Sequence, residues 1–309
     1  MYAMNCKIFC RSFDLRLYER SRAFYAQTGL PVVRLTDQTA DGYFYSMLAD
    51  KDCDIAINVD EDCFVADMSA VLRLVQYVVD HGYANAGCPD GGGATPRNAN
   101  PIVTNPFFNI LNLKLIRETC GDAKTIRQAV REFDISAHLD ELKTKTERLR
   151  KEQGVTTDNL LAAPKAGRIH PATEYRQLDV EPYYPFFFWL AWHFDTLYLP
   201  SFQDPDGWTT ILASPGEWHQ MLCAHTWLAR FYAVPDFMVR HWQPNAGKQK
   251  QRIDAVISRV ALQSQTVLPE ESFADTCRYL LDKLLRWLIK IPQRIANWPN
   301  KLRKKLCKS

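Results

Sequence analysis

The chain has 309 residues, room for one large domain or two small ones, and its 47% hydrophobic and 24% charged content is globular and excludes a disordered chain. The formal charge of +3 conceals an asymmetry: from Leu281 to Ser309 nine Lys or Arg stand against one acid, Asp282, a net +8 that leaves −5 for the rest. A mildly acidic body argues against nucleic-acid binding there. The nine Cys carry no CxxC pair, which reads as reduced, buried thiols and disfavours a zinc site. Met1 to Cys10 hold Asn5 and Lys7 and no long apolar run, so no signal peptide is expected.

In chain order, Lys7 to Arg11 reads as a strand and Leu15 to Thr28 as a helix stopped by Gly29. Leu30 to Leu35 is a second strand and Tyr43 to Leu48 a short helix. The run Ile55-Ala56-Ile57-Asn58-Val59 is a buried strand, and Asp67 caps a helix over Met68 to His81. This alternation predicts a mostly parallel sheet with helices on both faces. Ala84 to Gly87 is a further strand, Cys88 to Gly93 a loop, and Ile102 to Leu113 a strand-like run broken by Pro106. The charged, helix-periodic stretches Lys124 to Phe133 and Ala137 to Gly154 read as a solvated helical insertion, about 115–180, closing in a loop-rich segment from Val155 to Val180. Tyr183 to Leu199 is the most apolar window; with His193 and Asp195 inside it, it reads as buried core and not as a membrane span. Helices are expected over Ile253 to Gln263 and from about Glu270 into the basic tail, dividing the chain into a body of 1–269 and a tail of 270–309.

Three groups of residues could carry chemistry. Val59 delivers three acids, Asp60-Glu61-Asp62, and uncompensated buried carboxylates are costly. Alternate residues of an extended segment face one way, so Asp60 and Asp62 point together and Glu61 elsewhere. Two carboxylates on one side suit a hard divalent cation that takes the rest of its shell from phosphates and water; the alternative is a solvated acidic turn. Farther on, His225 sits in an apolar neighbourhood and is either a further metal ligand or a satisfied core histidine. The third group, Gln203-Asp204-Pro205-Asp206-Gly207-Trp208, is a turn whose Asp204 or Asp206 could act as a general base or bind sugar hydroxyls, or could simply organise the turn.

These residues resemble a family. A strand–helix alternation whose central strand ends in Asp-x-Asp looks like the Rossmann-like nucleotide-diphospho-sugar transferase fold, GT-A. The stretch Ile-Asn-Val-Asp-Glu-Asp-Cys-Phe is similar to bacterial glycosyltransferases that build surface polysaccharides, as are Asp206-Gly-Trp-Thr-Thr-Ile-Leu and His225-Thr-Trp-Leu-Ala-Arg-Phe-Tyr. The resemblance implies that Asp60 and Asp62 hold Mn²⁺ or Mg²⁺ against the donor diphosphate, with His225 as a later ligand. It also implies that Ser12, Asp14 and Asp37, with Asp60, lie where the nucleotide binds, and that Asp206, then Asp204, is the base of an inverting enzyme. The activity implied is metal-dependent transfer of a sugar from a nucleotide sugar to a glycan or lipid-linked acceptor. A sugar-phosphate nucleotidyltransferase is the alternative enzyme, disfavoured because Gly91-Gly92-Gly93 comes too late to be a phosphate loop after the first strand. A non-catalytic scaffold of the same fold is the alternative outside enzymology.

In the tail, Leu281, Leu284, Leu285, Leu288 and Ile289 recur on one helical face, with Lys283, Arg286 and Lys290 on the other. An apolar stripe among Lys and Arg suits a helix lying on an anionic membrane surface, with docking on the body as the other choice. The implied location is cytoplasmic, peripheral on the inner face of the cell membrane.

Overall fold

A computed structural model describes residues 4–36, 39–40, 42–90, 100–155, 168–169, 181–215, 217–227, 232 and 246–296. Asp37 lies outside these residues, as do most of the loop-rich segment of 155–180 and the last residues of the tail.

The main sheet is built from β1 (Cys6–Arg11), β2 (Val32–Leu35), β3 (Ile55–Val59), β5 (Asn85–Pro89), β6 (Thr104–Asn112) and β8 (Thr196–Tyr198), in the order β2-β1-β3-β6-β5-β8. β2, β1 and β3 run parallel, and β6 runs antiparallel to both neighbours, so five strands point one way. The antiparallel run of β6 is not legible from the strand–helix alternation. Pro106 is tolerated inside β6 because it falls in the gap between the Asn109–Gly87 and Thr104–Pro89 pairings, where the register shifts.

Period-two alternation sends side chains to two cores. Ile8, Ile57 and Ile110 face α1 (Leu15–Ala23), α3 (Met68–Asp80) and α8 (Ala246–Ser264). Phe9, Ala56 and Leu111 face α2 (Gly42–Ala49), α4 (Leu113–Cys120), α5 (Ala123–Glu132), α6 (Ile135–Glu152) and α7 (Tyr184–His193). The protein is thus a mixed α/β fold with a mostly parallel sheet and helices on both faces.

The charged helices α5 and α6 are not the solvated pair the sequence suggests. Ile126, Val130 and Leu142 are buried against the apolar α7. Lys145 of α6 donates to the carbonyls of Ala191 (2.9 Å) and Phe194 (2.7 Å), supplying partners that the end of α7 lacks. α7 is buried nearly all round, and among the described residues no helix is long and apolar enough to cross a membrane.

A second, antiparallel sheet has the order β4-β11-β10-β9-β7: β4 (Cys63–Val65), β11 (Glu217–His225), β10 (Thr210–Ser214), β9 (Ser201–Gln203) and β7 (Arg168–Ile169). β4 leaves the end of β3 after three residues and pairs with β11. That pairing carries residues more than 150 positions apart to one place.

Close packing fixes Gly87 in β5, between β6 and β8. A Cβ there would overlap Asn109 Nδ2 and lie 3.2 Å from the Phe108 carbonyl oxygen. Asn109 Nδ2 also donates to Thr104 Oγ1 at 3.1 Å. We expect Gly87→Ala to lower stability by about 1–3 kcal/mol, read as a fall in the urea midpoint with an unchanged slope.

The helix α9 (Phe273–Ala296) joins the body through ion pairs. Glu271, just before it, meets Arg16 at 2.8 Å and Arg20 at 3.0 Å, and Asp282 meets Arg34 at 3.4 Å. Burial raises both carboxyls, but the arginines outweigh it: Arg16 and Arg20 hold Glu271, and Arg286 and Arg34 hold Asp282, below the usual range. A depressed carboxyl adds stability above its unfolded pKa and loses it as pH falls through the folded one. Hydrogen exchange corrected for intrinsic rate is therefore expected to show α9 losing protection below about pH 4 while β3 keeps it.

Candidate metal centre

The switch in strand order places the site. The chain moves from β1 outward to β2 and then returns to β3 on the other side of β1. The crevice beyond the carboxyl ends of β1 and β3 is where open α/β sheets bind ligands. Arg11 ends β1, and Asp60-Glu61-Asp62 follows β3.

All three acids are buried, with exposures of 7–8%. The chain turns here instead of staying extended, the Cys63 N–H donating to the Asp60 carbonyl at 2.9 Å, so the turn and not strand alternation sets the side-chain directions. Asp60 and Asp62 turn toward His225, and one ligand atom from each of the three lies within 4.8 Å of the others. Glu61 turns the other way and accepts from the backbone N–H of Phe13 (3.0 Å) and of Asp14 (2.8 Å), pinning the β1–α1 turn. Burial pushes the Glu61 carboxyl up to about 8 in spite of these donors.

His225 arrives by strand pairing. It lies opposite Cys63 in the β4–β11 ladder, beside Asp62. Its Nε2 is 3.2 Å from Asp62 Oδ1. The Thr226 N–H donates to the Asp62 carbonyl at 2.9 Å and locks the two strand ends together. Phe107 stacks on the imidazole at 4.2 Å, and Trp227 covers it at a centroid distance of 4.4 Å. Burial pushes the Asp62 carboxyl up, but the His225 ring and its hydrogen bond outweigh that and hold it below the usual carboxylate value.

Asp60 is treated differently. Arg11 Nη2 donates to its Oδ2 at 3.1 Å, and the guanidinium lies over the rings of Phe13 and Tyr43 at 5.5 and 5.1 Å. Burial still keeps the Asp60 carboxyl above its ordinary value, against the pull of Arg11. Asp60 Oδ1 and His225 Nδ1 are buried with no hydrogen-bond partner. An orphaned carboxylate oxygen beside a second carboxylate and an imidazole fits a divalent cation that accepts mixed oxygen and nitrogen donors and keeps open positions.

The remaining sequence-predicted residues have other partners. Asp14 caps α1, its Oδ1 accepting from the Leu17 N–H at 3.0 Å. The Ser12 hydroxyl accepts from Arg34 Nε at 3.0 Å. Asp206 accepts from the N–H groups of Trp208 (2.8 Å) and Thr209 (2.7 Å) and pairs with Arg252 at 3.3 Å. Burial raises Asp206, yet the Thr209 hydroxyl, these N–H groups and Arg252 hold it below its usual value. A carboxylate so occupied is a poor proton acceptor. Asp204 is buried and bound through both oxygens to Arg259, at 3.0 and 3.2 Å. The structure thus gives both expected bases to the turn and to arginines.

Sequence reasoning missed several residues. Arg11 is the last residue of the predicted first strand; the parallel register Phe9–Asn58 brings it level with Asp60, so the pairing alone would have found it. Arg252 donates to the carbonyls of Thr226 (2.5 Å) and Trp227 (3.1 Å), holding the turn after His225, where Trp227 adopts a left-handed φ of 50°. No local pattern marks Arg252. Asp90, read as part of a loop, is fully buried at the end of β5 and accepts from Asn105 Nδ2, Tyr183 Oη and Tyr184 Oη.

No family model matches the chain, and no curated protein matches it. Among solved structures it is similar to one titled "Crystal Structure of A197 from STIV", at 15% identity over 35% of this chain and 65% of that chain, with a TM-score of 0.27. The match spans less than two thirds of that chain. At that score the likeness carries no argument.

Proposed function

We propose that the chain is a metal-dependent glycosyltransferase that moves a sugar from a nucleotide-diphosphate sugar to a glycan or lipid-linked acceptor at the cytoplasmic face of a membrane. The observation that supports this reading best is the buried Asp60–Asp62–His225 cluster at the switch point, with one Asp60 oxygen left unpartnered. Mn²⁺ or Mg²⁺ held there would neutralise the charge that develops on the departing nucleoside diphosphate, worth several kcal/mol. Arg11 fixes Asp60, Glu61 holds the turn from Ser12 to Asp14 along which the nucleotide lies, and Phe107 and Trp227 orient His225 and keep water off its ring. GT-A membership and the role in surface-polysaccharide synthesis rest on the resemblance of the Asp-x-Asp stretch.

One observation favours a second reading. Arg11 and His225 already partner Asp60 and Asp62, which is also what a non-catalytic scaffold with a self-neutralised ion cluster would show. Calorimetric titration of UDP and GDP with and without Mn²⁺ separates the two. The transferase reading expects nucleotide binding that requires Mn²⁺ and is lost in Asp62→Ala. Failure of both nucleotides to bind in either condition leaves the scaffold.

A further inference from the structure

The tail helix is docked the wrong way round for a core element. A helix that joins a globular body through the hydrophobic effect buries its apolar stripe and leaves its charges in water. In α9 the stripe is outside: Leu281, Leu284, Leu285, Leu288 and Ile289 are 46–61% exposed. The polar side faces the body instead. Asp282 reaches Arg34, and Arg278 lies 3.6 Å from Glu19 on α1.

We propose that α9 is a preformed membrane-binding face, held by its polar side on the folded body, which presents this leucine stripe to an anionic bilayer. Two facts select that occupant. Phe273, 84% exposed, and Leu280, 58% exposed, extend the apolar surface along the helix. The segment from Leu281 onward is also strongly basic, and its single acid, Asp282, is turned inward onto Arg34. Anionic headgroups complement that charge. A second copy of the same helix would set five basic residues and two acids, a net +3, against another +3, which disfavours a homodimer through this face.

Docking is kept during membrane binding, because the groups that hold α9 are not those that meet lipid. Arg34 also bonds Ser12 at the carboxyl end of β1, so the bilayer-bound helix is tied to the sheet edge that carries the metal centre. Resting on the transferase reading, this places the transfer site beside a membrane-resident acceptor.

The test is co-sedimentation of the full chain with vesicles rich in phosphatidylglycerol and with pure phosphatidylcholine vesicles, without metal or nucleotide, so its outcome is independent of the enzyme reading. Wild type is expected to bind the anionic vesicles and to be released by salt. The triple substitution Leu281→Gln, Leu285→Gln and Leu288→Gln leaves net charge unchanged and is expected to weaken binding at least about tenfold. Its thermal midpoint should match wild type, because the altered side chains are half in solvent. Equal vesicle binding by the triple variant, or no binding by wild type, overturns the proposal. So does sedimentation of wild type as a dimer that the triple variant converts to a monomer.

Discussion

Asp62→Asn is expected, on the proposed transferase reading, to reduce metal-dependent sugar transfer by about 10³-fold, equivalent to about 4 kcal/mol. The substitution keeps the shape of the side chain and its reach to His225 Nε2, 3.2 Å from Asp62 Oδ1 in the native protein. It removes only the negative charge that would hold the cation. The backbone bond from the Thr226 N–H to the residue 62 carbonyl is untouched, so the β4–β11 junction should survive. Thermal melts without metal should therefore lie close to wild type, while the stabilisation that Mn²⁺ gives wild type should vanish. Wild-type stabilisation by Mn²⁺ retained in Asp62→Asn would show that the ion binds elsewhere.

Arg11→Met is expected to destabilise the metal-free protein by about 3–5 kcal/mol. Arg11 is the cation that compensates Asp60, and the pair is nearly buried, with side-chain exposures of 19% and 11%. Methionine fills much of the same space between Phe13 and Tyr43 but leaves the carboxylate unpaired. A bound divalent cation can take over that compensation, so saturating Mn²⁺ should recover more stability in the variant than it adds to wild type. The double substitution Arg11→Met with Asp60→Asn should restore most of the loss without metal, because no uncompensated charge remains. A variant that stays unstable in Mn²⁺ but is rescued by Asp60→Asn would assign Asp60 to an ion pair alone.

Local pattern carried a large part of this fold. The runs around Ile8, Val33 and Ile57 and the helices between them are signalled by periodicity and by Asp67 at the start of α3, which are short-range signals; the first helix ends earlier than expected, at Ala23, and Gly29 closes a separate 3-10 turn over Ala26–Thr28. Asp60 and Asp62 do turn to one side as expected, but through a turn closed by the Cys63 N–H and the Asp60 carbonyl and not through the extended alternation that suggested it. The charged surface of α5 and α6 misled because high charge hides a narrow buried stripe, here Ile126, Val130 and Leu142. The acids in the Asp204–Asp206 turn left two readings open, because composition does not say which arginines will find them.

What the sequence determined alone is therefore the strand–helix alternation, the acid-tipped strand, and an amphipathic basic tail. These follow from repeats of two and 3.6 residues and from charge, all of which are local. Tertiary structure decided the rest. It ran β6 antiparallel, carried His225 across 163 positions to Asp62 through the β4–β11 ladder, and set Arg11 against Asp60. It also turned the tail so that its leucines face outward and Asp282 faces Arg34. Each of these depends on which strand or helix pairs with which, a choice made by the burial of whole faces and left open by the residues on either side of a site.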